Sequence, residues 1–271
     1  MSDQSTTHLL EIGTELVVKR YRSWEYRQPE REWTALQLLD EHAPGTAPTP
    51  VSADLSAVLP VVVMSRLPGL PLPDPVGTEH AAAVARTVVH VQEAIPRTAL
   101  AELPPRAGRP AELLQQVTEW CVEASSGDAS PLAAKALAAG SQWLQRPDLA
   151  ARLSQPGTPV FGTGDGNLAN YLWDGSEARL VDFEYSGRSD RAYELAEMIE
   201  HISVRQRGGT AVVRALEHVA PEEHGSSRFA DCRRLHAFFW LLRILGSGQG
   251  RSTDGSPVLI SQATRVLELL G

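Results

Sequence analysis

Apolar and polar residues recur along the chain with two periods, near 2 and near 3.6, and the switches between them mark its elements. HLLEIGTELVVKRY, residues 8–21, reads as two short strands turning at Gly13-Thr14, with Val17 and Val18 leading into Lys19. Pro29 suits a first helical turn. EREWTALQLLDEH then carries Glu32, Leu36 and Leu39 at i, i+4 and i+7, one face of a helix. Residues 43–50, APGTAPTP, form a rigid loop, 57–64 a continuous apolar strand, and Ser65-Arg66-Leu67-Pro68-Gly69 a break that serves as lobe boundary and hinge. A helix over 79–93 places His90 on its apolar side as a structural histidine. LPPRAGRP, residues 103–110, is a second loop, 111–143 holds two helices broken near 125–131, and 158–161 is a short strand. Helices are also predicted from 192 to about 205, burying Leu195, Ile199 and Ile202, over 229–245, and over 257–270 beyond the loop GSGQG.

The stretch FGTGDGNLANYLWDGSEARLVDFEY, residues 161–185, concentrates the candidate chemistry. Two strand-like runs flank Asp174-Gly175, the signature of a β-hairpin. Asn170 enters the first run and Asp182 leaves the second, so their oxygens meet at the hairpin's open end. Magnesium takes one or two carboxylates and completes its octahedron with waters and phosphate oxygens, so this pair could supply the protein's share. Asp165 and Asn170 also enclose four residues, the D-x-x-x-x-N spacing of a kinase catalytic loop. Lys19, ending a β-branched run, is placed to meet nucleotide phosphates. Glu32, on the inward face of its helix, needs a cationic partner, for which Lys19 is the candidate; Glu30 is the second choice. Backbone groups at Met64, Ser65 and Arg66 are candidates to hydrogen-bond a nucleobase.

Composition narrows the setting. A formal charge of -8 over 271 residues argues against nucleic acid as the main partner and favours a neutral or cationic small molecule. The polar opening MSDQSTTH and the lack of a bilayer-length apolar run make a cytoplasmic, non-membrane protein the expectation. Cys121 and Cys232 lack C-x-x-C spacing and read as reduced, buried thiols.

VVKRY with Lys19, REWTALQLL with Glu32, VMSRLPGLPL, GDGNLANYLW and LVDFEYSGRSDRAYELAEMIEH, in this order, resemble the aminoglycoside phosphotransferase and choline kinase-like group. The resemblance implies an α+β, two-lobed protein-kinase-like fold, with a short N-terminal β lobe (1–66) and a mainly helical C-terminal lobe (67–271). It also implies transfer from ATP or GTP, with Mg²⁺, to a hydroxyl of a small molecule, an antibiotic foremost. Carried over, Asp165 is the catalytic base, Asn170 and Asp182 are metal ligands, Lys19 binds phosphates and Glu32 positions Lys19. Glu184, Glu197, Glu200 and His201 are candidate acceptor contacts. Three positions depart from the family pattern. Thr163 stands where the family usually has His, only Gly13 precedes Lys19 where a glycine loop covers the phosphates, and Asp182-Phe183-Glu184 replaces Asp-Phe-Gly. A choline, homoserine or sugar kinase, and a non-catalytic binding protein, remain the alternatives.

Overall fold

A computed structural model describes residues 8–124, 130–223, 225–246 and 256–271. The predicted N-terminal hairpin is present as β1 (His8–Ile12) and β2 (Leu16–Tyr21), closed by Gly13 N–H donating to the Leu16 carbonyl at 2.8 Å. Helix α1 (Gln28–His42) follows with Pro29 in its first turn and buries Glu32, Leu36 and Leu39, as the spacing predicts. Strands β3 (Pro50–Asp54) and β4 (Val61–Ser65) complete an antiparallel sheet of order β1-β2-β4-β3, and α1 packs on β3 and β4.

Two corrections apply here. The apolar strand begins at Val61, because Asp54 Oδ1 accepts from the N–H groups of Ser56 and Ala57 and turns the chain first. Strand β3, which starts at the last residue of the predicted loop and is not among the predicted elements, is mostly exposed and lies at the sheet edge, so it carries no apolar run to announce it.

Beyond β4 the chain crosses through 66–69 into a mainly helical region. Gly69 has φ +124°, and a Cβ there would lie 2.9 Å from the Trp173 carbonyl oxygen, which bars other residues from this crossing. Next come β5 (Leu70–Pro71), α2 (Thr78–Ala94), α3 (Arg97–Glu102), α4 (Pro110–Ala124), α5 (Pro131–Leu144) and α6 (Leu149–Leu153). Strands β6 (Pro159–Gly162), β7 (Tyr171–Trp173), β8 (Ala178–Leu180) and β9 (Gly187–Asp190) lead to α7 (Arg191–Glu200), a π-helical turn Val204–Gly208, α8 (Gly209–Val219), α9 (Ser227–Gly246) and α10 (Pro257–Leu270). Strand β5 pairs with β7, β7 with β8, and β6 with β9, all antiparallel.

The helical core centres on α9, which packs against α4, α7 and α10. The fold is therefore α+β, with a small N-terminal antiparallel sheet and a mostly helical remainder.

Other expectations shift. Helix α7 stops at Glu200, and His201 leaves it with φ −59° and ψ 137°. Its polar residues are not a solvated face, since Glu194, Glu200 and His201 are buried. His90 is exposed and not a packed structural histidine. Cys121 and Cys232 are buried free thiols, as expected. The opening residues 1–7, most of the predicted break between α4 and α5, and nearly all of the GSGQG loop lie outside the described residues.

Candidate active site

Strand β2 buries Lys19 to 3 % exposure and aims its ammonium at three carboxylates: Asp182 at 2.6 Å, Glu32 at 3.2 Å and Glu184 at 3.3 Å. Burial alone would depress the lysine pKa. The Coulombic pull of Glu32, Asp182 and Glu184 outweighs it and holds the ammonium well above its ordinary value, so Lys19 stays charged. Glu32 Oε2 also accepts the Phe183 N–H at 2.7 Å, which ties α1 to the segment after the hairpin. Glu30 instead pairs with Arg27. Asp182 itself has φ +70°, a left-handed conformation that Asp tolerates better than most residues. The Lys19 ion pair and the Phe183 hydrogen bond hold it there.

The hairpin brings the second half of the site into register. Tyr171 faces Leu180 across β7 and β8, and Val181 N–H donates to the Asn170 carbonyl at 2.9 Å, so Asn170 and Asp182 lie at the same open end. The loop before it is held at nearly every residue. Asp165 Oδ1 accepts the Asn167 N–H at 3.0 Å, Oδ2 accepts Asn170 Nδ2 at 3.1 Å, and Leu168 N–H donates to Ser203 Oγ at 2.9 Å. A Cβ on Gly164, whose φ is +82°, would lie 2.5 Å from the Tyr185 carbonyl oxygen.

His201 comes from just past α7 to place Nε2 3.4 Å from Asp165 Oδ1. Ser203 N–H donates to its Nδ1 at 3.1 Å, which puts the imidazole proton on Nε2, facing Asp165. Trp240 packs edge-on against the ring at 4.6 Å. Burial alone would raise the Asp165 carboxyl. Hydrogen bonds from His201, Asn170 and the Asn167 N–H instead hold it below the usual range, so it is an ionised acceptor at neutral pH.

Behind this loop stands a group that sequence reading missed. Arg106 is buried; it donates to Glu194 at 2.9 Å, to Glu197, and to the Gly164 carbonyl at 3.1 Å, next to Asp165. Glu194 in turn accepts the Thr163 N–H at 3.1 Å, so at the position of the family's usual His the backbone is what the helix holds. An arginine within LPPRAGRP reads as solvated, and only partners some 60 to 90 residues away in sequence reveal its place.

The remaining candidates separate. Glu184 sits beside Lys19 and, through Oε2, 3.1 Å from His8 Nδ1, away from Asp165's own partners. Glu197 is engaged by Arg106. Glu200 is 0 % exposed and held by Arg233 and Arg265, each at 2.7 Å, and so cannot touch an acceptor. At the crossing, Ser65 N–H donates to the Thr49 carbonyl and Arg66 N–H to the Glu15 carbonyl, so these donors are not available to a base. Met64 lies within β4, paired with Val17 on one side and Pro50 on the other.

Among the described residues, no group of three or more His, Cys, Asp or Glu side chains could by itself hold a metal ion. The donor chemistry fits magnesium nonetheless, because that ion needs few protein ligands when phosphate oxygens complete its shell. Glu32, Asp182 and Glu184 set three carboxylates against the one Lys19 ammonium, an excess of negative charge that a polyphosphate could join only with added cations.

Residues 2–229 match the sequence profile of the Phosphotransferase enzyme family, APH. No curated protein sequence matches the chain significantly. Among solved structures, a choline/ethanolamine kinase family protein from Mesorhizobium loti superposes with TM-score 0.63 at 17 % identity, over 98 % of this chain and 84 % of that one. The choline kinase LicA from Streptococcus pneumoniae gives 0.59 at 15 %, over 100 % and 91 %. A mutant of aminoglycoside 2'-phosphotransferase-IIIa in complex with GDP gives 0.62 at 18 %, over 98 % and 88 %. At such identities the likeness shows a shared kinase-like fold. Together with a family match over most of the sequence, it establishes that the chain belongs to the phosphotransferase enzyme family.

Proposed function

We propose that the protein is a magnesium-dependent O-phosphotransferase that uses ATP or GTP to phosphorylate a hydroxyl of a small molecule in the cytoplasm, foremost an aminoglycoside-type antibiotic, as resistance or self-protection. One observation carries the reading. The Lys19 ammonium is fixed by Glu32 and Asp182 at one end of the hairpin while an ionised Asp165 is fixed by Asn170 and His201 beside it. No structural need explains that pairing.

Lys19 would bind nucleotide phosphates, releasing part of its hold on Asp182 and Glu184, while Glu32 keeps it in place. Asp165 would take the acceptor's hydroxyl proton as that oxygen bonds to the terminal phosphorus and the bond to the bridging oxygen breaks, leaving a nucleoside diphosphate. Asn170 and Asp182 are the residues that would hold Mg²⁺, which neutralises charge on the phosphate oxygens when bound. Arg106, Glu194 and His201 would keep Asp165 where the hydroxyl arrives. Residues 1–66 form the nucleotide-binding part in this reading and 67–271 the acceptor-binding part.

Two kinds of fold relative support two acceptor classes. One solved relative, aminoglycoside phosphotransferase APH(4)-Ia, is a ternary complex with ADP and hygromycin B, and others are choline kinases. ATP and GTP consumption measured against a panel of aminoglycosides, choline, homoserine and sugars tests the choice. Turnover with an aminoglycoside supports the leading reading, and turnover only with a metabolite replaces it. If calorimetry shows that neither Mg-ATP nor Mg-GTP binds, the chain is a non-catalytic binding protein.

A further inference from the structure

A cleft of about 310 Å³, at the small end of ligand cavities, lies apart from the Lys19 cluster, on another side of α1. Arg27, just before α1, and Arg31 and Thr34 of α1 line one side of the cleft; Leu103 and Pro104, after α3, and Phe161 of β6 also line it. The lining is thus apolar at its base, with cations on one side. Glu30 also lines it but is paired with Arg27, and Glu102 is exposed.

Arg31 sets the chemistry of the cleft. It is half-buried, and its hydrogen bonds run to uncharged carbonyls: Tyr26 at 2.8 Å, Pro105 at 2.9 Å and Ser186 at 2.7 Å. No carboxylate lies within ion-pair distance of it among the described residues. Arg106, Arg228, Arg233 and Arg265 each meet a carboxylate; Arg205, half-buried like Arg31, has no ion pair among the described residues either, but it does not line this cleft. Burial lowers the Arg31 pKa and Arg27 lowers it further, while Glu112 and Glu30 act in the opposite sense without reaching ion-pair distance. A partly desolvated cation facing a cleft with no carboxylate in contact has the chemistry of an anion site. Backbone strain stands at the same mouth, since Tyr26 and Arg27 both adopt left-handed φ, 52° and 57°, as non-glycine residues.

We propose that this cleft binds a small organic monoanion, its carboxylate on the Arg31 guanidinium and its apolar body against Leu103, Pro104 and Phe161. The site does not depend on phosphotransfer, and its test needs no nucleotide. The probe is benzoate, titrated into the full chain by ligand-observed NMR or calorimetry, with benzyl alcohol as its uncharged counterpart. Benzoate saturates the protein and binds at least about ten-fold more tightly than benzyl alcohol, and Arg31→Gln removes most of that preference. Because Arg31 also bridges to the Pro105 and Ser186 carbonyls, its variant can lose stability. Thr34→Phe therefore serves as a second variant, filling the cleft while leaving those bonds in place, and it also abolishes benzoate binding at an unchanged melting temperature. Equal affinity for the two probes, no saturation, or benzoate binding that survives both variants overturns the site.

A consequence follows from Arg31 preceding Glu32, and this link rests on nucleotide binding at Lys19. An anion competing for the guanidinium loosens α1 from the Pro105 and Ser186 carbonyls, so benzoate at saturation weakens Mg-ATP binding. The same Mg-ATP affinity with and without benzoate overturns the link and leaves the site.

Discussion

Charge is clustered around Lys19 and around Glu200, with a central cation in one and a central anion in the other, and the two clusters differ in their access to water. At Lys19 one ammonium meets three carboxylates, and Asp182 keeps 29 % of its side chain in solvent. At Glu200 one carboxylate, 0 % exposed, meets two guanidinium groups on α9 and α10. Burial alone would raise the Glu200 pKa, but Arg265 and Arg233 outweigh it and hold the carboxyl below its usual range, so the ion pair persists. The Glu200 cluster is closed: its fully buried carboxylate is met by two guanidinium groups, which also reach the more exposed Glu217 and Glu268. The Lys19 cluster is open and has more carboxylates than cations, so it can take a cation arriving from outside. Similar residue types thus serve packing in one place and, in our reading, ligand binding in the other, and what separates them is the path to water.

The largest effect is expected at the open end of the first region. Asp165→Asn keeps the side chain's size but removes the base and turns one acceptor oxygen into a donor, and turnover of the best acceptor falls by roughly 10²–10⁴ while the protein stays folded by circular dichroism. Turnover near wild type would mean that the loop's hydrogen bonds serve structure alone, and the contrast with Glu200 would lose its functional half.

Stability is the next way to separate the regions. Glu200→Gln removes the buried carboxylate and leaves Arg233 and Arg265 only the more exposed Glu217 and Glu268 as charge partners, which costs up to about 3–5 kcal/mol in urea unfolding. Asp182→Asn removes one of several carboxylates competing for one ammonium, and costs less than about 1 kcal/mol in the same assay. Equal losses at the two positions would show that both clusters are structural.

That contrast also explains how far the sequence could be read. Lys19, Glu32, Asp165, Asn170 and Asp182 were legible because each lies at a fixed distance from a strand, a helix face or a turn, so local periodicity places it. Glu184 and Glu200 looked alike as acidic residues after the hairpin, and the fold sends one to Lys19 and the other to two arginines on distant helices. Arg106 was illegible for the same reason: its loop has no period, and its partners are set by where α7 docks. Strand β3 escaped because an exposed edge strand needs no apolar alternation, and the end of α7 because His201 turns away to serve Asp165.

His201 gives a smaller effect, visible as a split between kinetic constants. Its Nε2–H orients Asp165 without reaching substrate, so it is a positioning residue. His201→Ala lowers kcat by about ten-fold and leaves the nucleotide KM unchanged, while His201→Gln, which can still donate, recovers part of the loss. A change confined to KM would place His201 in direct contact with a substrate instead.

The smallest effect concerns acid stability, and it tests whether the closed region tolerates charge only when paired. His236 on α9 is buried against Tyr193 at 4.7 Å between ring centroids, and burial, helped by Arg106 and opposed by Glu200, pushes its pKa well below the ordinary 6.5. The folded protein therefore keeps His236 neutral, while the unfolded chain takes up a proton as pH falls below about 6.5. Its contribution is absent at higher pH and destabilising below that point, where it adds up to about 1.4 kcal/mol per pH unit to the loss of unfolding free energy. His236→Leu, compared with wild type by urea unfolding at a series of pH values, flattens the curve between pH 6.5 and the folded-state pKa without changing its slope above neutrality. An unaltered slope would mean that the imidazole charges in place, and that α9 accommodates an unpaired cation where Glu200 and its two arginines say that charge is admitted only with a partner.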